Sequence, residues 1–190
     1  MLETQGINNK TKIYKMKKST PFFTVLLFLI FHVSFSQTVM KELKIGHSFN
    51  ISLPSYMTRT VGLNEAACVQ YKSEVKDIYG FVIEDNKEEL TLAELNYSSL
   101  NEFTDEFIKT FLKDEASKKL SSPIFSKRGE INFVEVDVTY YDDDAKIEIY
   151  YLVGIVESKT AFYKILSWSA ASEKDTFKED FRKILYSLKD

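Results

Sequence analysis

Glu135, Asp137 and Glu148 alternate along two stretches that read as paired strands. Two carboxylates held close together are the equipment of glycoside hydrolysis, one as acid and one as base or nucleophile. No flanking motif marks such a site, and the polar face that carries these residues reads more simply as a solvated one. A histidine base would have to be His47, the one His beyond residue 36, and no Gly-x-Ser-x-Gly elbow is present to hold a serine nucleophile. With one His, a zinc site built on two imidazoles is excluded. Asp142, Asp143 and Asp144 form the one acidic cluster with ligands for Ca²⁺, but without the spacing of a calcium loop or a downstream bidentate Glu. Acidic residues are also ordinary turn formers. Cys68 stands in the apolar run Ala66-Ala67-Cys68-Val69 with no basic neighbour to lower its pKa, and reads as a buried structural thiol. No glycine-rich phosphate loop or other cofactor motif occurs. The catalytic reading is thus a secreted hydrolase using a carboxylate pair or His47.

The residues that favour binding over catalysis are aromatic. Tyr140, Tyr141, Tyr150, Tyr151, Tyr163 and Trp168 all fall on stretches that read as adjacent strands. Most must be core, yet Tyr and Trp tolerate half-exposed positions and are common in binding surfaces. The candidate contact residues for a protein or small ligand are therefore Tyr140, Tyr150 and Trp168 on the sheet, with Tyr56, Met57 and Arg59 in the loop that spans 55–65.

The elements that position them are legible from periodicity. Residues 38–48 lack a clear period. Phe49 to Leu53 alternates and meets Pro54, which cannot donate to a ladder. Residues 68–71 and 79–83 read as further strands, and Asn86 to Glu89 as a solvated charge run. Ser99-Leu100-Asn101-Glu102 is a capping box. Leu100, Phe103, Phe107, Ile108, Phe111 and Leu112 then line one face of a helix running to about Ala116. At that spacing the Phe stripe faces the core. Val134 to Tyr140 alternates cleanly, and Tyr150 to Val153 is apolar on both faces, as a strand in mid-sheet must be. With Phe162 to Trp168 these make an antiparallel meander. Ser172 serves as an N-cap for a last helix with Phe177, Phe181, Ile184, Leu185 and Leu188 on its apolar face.

Residues 1–36 read as a leader ending in a secretory signal peptide. Lys15, Lys17 and Lys18 precede an apolar stretch from Phe22 to Phe31, and Ser34-Phe35-Ser36 puts small residues before a cleavage point at Gln37. The apolar core is too short for the ~20 residues of a membrane-spanning helix. Met16 starts a compact signal of its own, which places the true start there. No Cys follows the apolar run, so this is not a lipoprotein signal. The Ser-Gln ending resembles signals of Bacteroidetes-type bacteria. Cleavage leaves residues 37–190, with 20 basic and 27 acidic side chains, a net charge of −7 against −3 for the whole chain. That balance, with Arg only at 59, 128 and 182, weighs against a nucleic-acid or anionic-membrane surface. The absence of a repeat, linker or low-complexity run gives one α+β domain with no transmembrane helix: an antiparallel sheet of about six strands flanked by helices.

The order of these elements carries a resemblance. A Phe-x-Ile-x-Leu-Pro strand over Phe49 to Pro54 leads to a central helix and a meander. A final helix then ends in Ile184-Leu185-Tyr186-Ser187-Leu188-Lys189. This resembles the PsbP-like and DcrB-like group of α/β/α sandwiches over residues 49–189. The resemblance implies that fold and an accessory or binding role, periplasmic or extracellular, and offers no catalytic residues to carry over.

Overall fold

The computed structural model describes residues 38–190. The leader, its start at Met16 and its cleavage before Gln37 lie outside the described residues. The meander is the centre of the molecule: β8 (Ile131–Asp142), β9 (Ile147–Glu157) and β10 (Ala161–Ala170) pair antiparallel over nearly their full lengths. β10 continues the sheet to β5 (Ile78–Asn86), β4 (Val69–Ser73) and the short edge strand β3 (Thr58–Thr60). At the other edge, β6 (Lys119–Leu120) and β7 (Ile124–Arg128) lie in succession along β8. The sheet therefore has eight strands, in the order β3-β4-β5-β10-β9-β8, with β6 and β7 both outside β8. The two strands beyond the six or so legible in the sequence are β3 and β6, which are too short to show a period.

Both faces are covered, as the doubly apolar stretch of β9 requires. On one face lies the helix α3 (Lys174–Leu185), entered through a 3₁₀ turn at Ala171–Glu173, together with a hairpin of β1 (Met40–Ile45) and β2 (Phe49–Pro54). Ile51, Tyr71, Tyr150, Tyr163, Phe181 and Ile184 are among the fully enclosed large side chains there. On the other face α1 (Lys87–Leu92) lays the partly buried Leu90, and α2 (Leu100–Thr110) packs Leu100 and Phe103, against a cluster that includes Val134, Val136, Ile155 and Phe162. The result is an α/β/α sandwich.

Several local expectations change. Residues 40–45 form a strand because each finds a partner in β2, from Met40↔Pro54 to Ile45↔Phe49. The charge run at 86–89 is a helix start, in which the Asn86 side chain accepts from the backbone N–H groups of Glu88 and Glu89. α2 ends at Thr110, short of Ala116: Phe111 is extended and Leu112 takes φ +51°, so the chain leaves the helical path. Ser172 makes no side-chain cap for α3. As expected, Ser99 caps α2, accepting from the Glu102 backbone N–H at 3.2 Å.

Candidate functional site

The carboxylates on β8 lie beneath α3, not on a solvated face. Glu135 is 1% exposed. Its Oε2 accepts from Arg182 Nε at 2.9 Å and from the Tyr186 hydroxyl at 3.1 Å, and Lys178 Nζ stands 3.9 Å from Oε1. Asp137 accepts from Lys178 at 2.7 Å and from the Tyr150 hydroxyl at 2.9 Å, and pairs with Lys174 at 2.9 Å. The order along the contact is Lys174–Asp137–Lys178–Glu135–Arg182. Geometry explains why it closes. Four residues of helix advance about 6 Å and two residues of strand about 6.7 Å, so cations at i, i+4 and i+8 interleave with carboxylates at i and i+2. Glu148 is separate, exposed and paired with Lys119 at 3.5 Å. His47 is exposed in the turn between β1 and β2. The arrangement can clamp a helix to a sheet, and every carboxylate a hydrolase would need there is already held by cations.

Burial raises the Asp137 carboxyl, but hydrogen bonds from Lys178, Lys174 and Tyr150, with the Lys178 charge, outweigh it and leave the group below the usual range. Asp180 follows the same pattern: burial is outweighed by hydrogen bonds from Tyr56, Lys183 and Thr38. A folded-state pKa below the unfolded value means that the unfolded chain binds more protons. This stability is whole at neutral pH and drains away as pH falls through the ordinary Asp range and below it. Melting curves taken from neutral pH to about 2 should show a shallower acid limb in Asp137→Asn and Asp180→Asn than in the parent. Parallel limbs would refute this.

The loop candidates are mostly structural. The Tyr56 hydroxyl donates to Asp180 at 2.7 Å, and its ring lies under Lys76 Nζ at 4.1 Å. Burial first, then the hydrogen bond and charge of Asp180, raises the Tyr56 phenol pKa strongly. Met57 belongs to the core under α3. Arg59 faces solvent on β3. Cys68 is exposed at the start of β4, where Sγ donates to the Val82 carbonyl at 3.2 Å, in place of the buried thiol expected. Partial burial and then the charge of Glu84 push its pKa up, which disfavours the thiolate. Asp142 is occupied in its turn, where Oδ1 accepts from the backbone N–H groups of Asp144 and Ala145, while Asp143 lies 3.8 Å from Lys146. Among the described residues, no group of three His, Cys, Asp or Glu is arranged to hold a metal ion.

Of the sheet aromatics, the structure brings Tyr140 and Trp168 to one face and sends Tyr150 to the other. Tyr150 is fully buried beneath α3, tied to Asp137. On the opposite face four rings stand in a row across four adjacent strands: Tyr79 (β5), Trp168 (β10), Tyr151 (β9) and Tyr140 (β8). Successive centroids are 5.6, 5.3 and 6.2 Å apart, with interplanar angles of 24°, 29° and 29°. Register sets this row, since Trp168 lies directly between Tyr79 and Tyr151. α2 stops before it. Phe111 meets Tyr151 edge-on at 5.3 Å, Phe81 meets Trp168 at 5.8 Å, and Tyr79, Trp168 and Tyr151 stay partly exposed. Carboxylates terminate the row: Tyr79 donates to Asp77 at 2.7 Å, and Tyr140 reaches Asp142 at 3.4 Å. Tyr79, which completes the row, is not among the candidates the sequence offers. Its signal is positional, one residue before Gly80 on a strand whose partner was not known.

Solved structures share the fold that carries these residues. Cyanobacterial PsbP (CyanoP) from Synechocystis sp. PCC 6803 matches with a TM-score of 0.58 at 14% identity, over 82% of this chain and 95% of that one. The fold is PsbP-like. The Ran-binding protein Mog1p of Saccharomyces cerevisiae matches at 0.54 and 9% identity, over 80% and 95%. LpqN, involved in cell envelope biogenesis of Mycobacterium tuberculosis, matches at 0.51 and 9%, over 80% and 90%. No protein-family model matches the chain, and no curated protein matches it in sequence. Among the described residues no helix is long and apolar enough to cross a membrane.

Proposed function

We propose that this chain is an exported, non-catalytic accessory or binding module of a bacterial cell envelope or secretome, and that it meets its ligand or partner through the aromatic row on the open end of the α2 face. The leader over residues 1–36, with no Cys after its apolar run, supports export without a lipid anchor. The observation that carries the binding role is the Tyr79–Trp168–Tyr151–Tyr140 row, four stacked rings of which the first three are left partly uncovered where the helix stops. Rigid aromatic side chains give large contact area for little conformational entropy, the property of binding hot spots. The PsbP-like fold fits this reading, since Mog1p, which shares it, is a Ran-binding protein. The clamped carboxylates under α3 support it from the other side.

Two measurements test it. Cell fractionation with N-terminal sequencing should find a protein beginning at Gln37 outside the cytoplasm; a protein retaining residues 1–36 would end the export reading. A photo-crosslinking residue at Tyr79, introduced in the native cell, should give discrete adducts. The same residue at Val75, which is 99% exposed and off the row, should not. Equal labelling at both positions, or none at either, would remove the row from the proposal.

A further inference from the structure

We propose that the outer edge of β7 takes an extended, acidic segment of a partner protein as an added strand, a second surface independent of the aromatic row. β7 pairs only with β8 among the described residues, so its other edge presents unpaired backbone N–H and C=O groups. The strand is exposed on either side of the half-buried Ser126, with Ile124 at 49% and Phe125 at 53%. Midway along it, the Ser126 hydroxyl is covered and makes no hydrogen bond. Strand addition to such an edge draws affinity from the main chain and specificity from alternate side chains.

Charge selects the occupant. The domain is acidic overall, but β7 ends in Lys127 and Arg128, and neither pairs with a carboxylate among the described residues. The Arg128 guanidinium lies over the Tyr186 ring at 4.2 Å. It opens into a groove of about 460 Å³ also lined by Arg182 and Lys183, which are already held by Glu135 and Glu179 and by Asp180, so the charge free to select a partner is that of Lys127 and Arg128. Register divides the side chains. Ile124, Ser126 and Arg128 lie on the α3 side with Glu135 and Phe133, and Phe125 and Lys127 on the α2 side with Val134. An antiparallel segment that fits therefore begins with two acidic residues, opposite Arg128 and Lys127. It continues through a small polar residue at Ser126 to two apolar ones at Phe125 and Ile124. A second copy is disfavoured, because its own β7 brings no carboxylate to Arg128 and presents the same positive edge.

The probe is a capped, fluorescent peptide of two Glu, one Thr and two Val, titrated into the full chain by anisotropy. Binding should weaken as salt rises, and hydrogen exchange should slow at residues 124–128. The charge-reversed variant K127E/R128E should lose roughly tenfold or more in affinity. Phe125→Asp, which changes neither Tyr186 nor its groove, should also weaken binding. A peptide N-methylated along its bonding edge should fail to bind. Binding by the N-methylated peptide as tight as by the parent, unchanged affinity in both variants, or no binding of the parent peptide would overturn the proposal. So would a dimer of the protein alone that K127E/R128E dissociates.

Discussion

Replacing Arg182 with Ala is expected to cost about 3 kcal/mol of folding stability, although the side chain is more than a third exposed. The cost arises at the other end of the contact. Glu135 is buried, and removing Arg182 Nε takes away its nearest cation, leaving Tyr186 to hydrogen-bond it and Lys178 at 3.9 Å. Breaking one side of a buried pair costs roughly 3–5 kcal/mol, because an uncompensated charge remains in a poorly solvated place. The remaining partners put this case at the lower end. Replacing both ends with apolar residues of similar size, Glu135→Leu with Arg182→Met, should recover most of the loss, because no charge is then stranded. Urea unfolding of the two single variants and the double variant decides the matter. A double variant as unstable as the two singles summed would show that the residues act separately.

The Gly80→Ala variant is expected to be at least as damaging, at about 3 kcal/mol or more, for a steric reason. Gly80 sits in β5 between Tyr71 on β4 and Ser167 on β10, its partners in the two ladders. The Tyr71 ring lies across this gap, and its hydroxyl meets the Ser167 hydroxyl at 2.9 Å. A Cβ at position 80 would stand 2.5 Å from the Tyr71 ring and 2.6 Å from the Leu166 carbonyl oxygen, neither of which real Cβ atoms tolerate. Both neighbours are pinned, one by complete burial and the other by the ladder. The ring must leave its place, which overpacks the core and strands a buried hydroxyl. Shortening the ring, in Gly80→Ala with Tyr71→Leu, should cost less than the sum of the two single changes. Thermal melts of the three variants measure this, and strict additivity would show that the ring is not what the new methyl group strikes.

The meander, the capping box of α2 and the apolar faces of both long helices were legible because each is a local pattern with its own period. β1 was not, because nothing inside residues 40–45 alternates strongly; its conformation comes from pairing with β2. The early end of α2 was hidden for the opposite reason: Phe111 and Leu112 continue the helical spacing, yet Phe111 turns out of the helix to meet Tyr151. The clamp under α3 lies between these cases. Lys174, Lys178 and Arg182 at i, i+4 and i+8 are visible in the sequence, as is Glu-x-Asp on β8. Only the three-dimensional stacking of α3 over β8 shows that the two spacings match. The same knowledge separates Tyr150 from Tyr140 and Trp168, since a strand apolar on both faces does not reveal which face a helix leaves bare.

The join between Asn50 and Lys189 has a consequence for the order of events in folding. Each backbone N–H of this pair donates to the other's carbonyl oxygen, at 2.8 and 3.0 Å, across nearly the whole domain. The apolar side chains of β2 share one buried cluster with those of residues 177–188 and with Tyr163 on β10. That cluster is complete only when segments from opposite ends of the domain meet, so this half of the core is expected to close late in folding. Contacts so distant in sequence form slowly, because the entropy of closing the loop is spent before the contact rewards it.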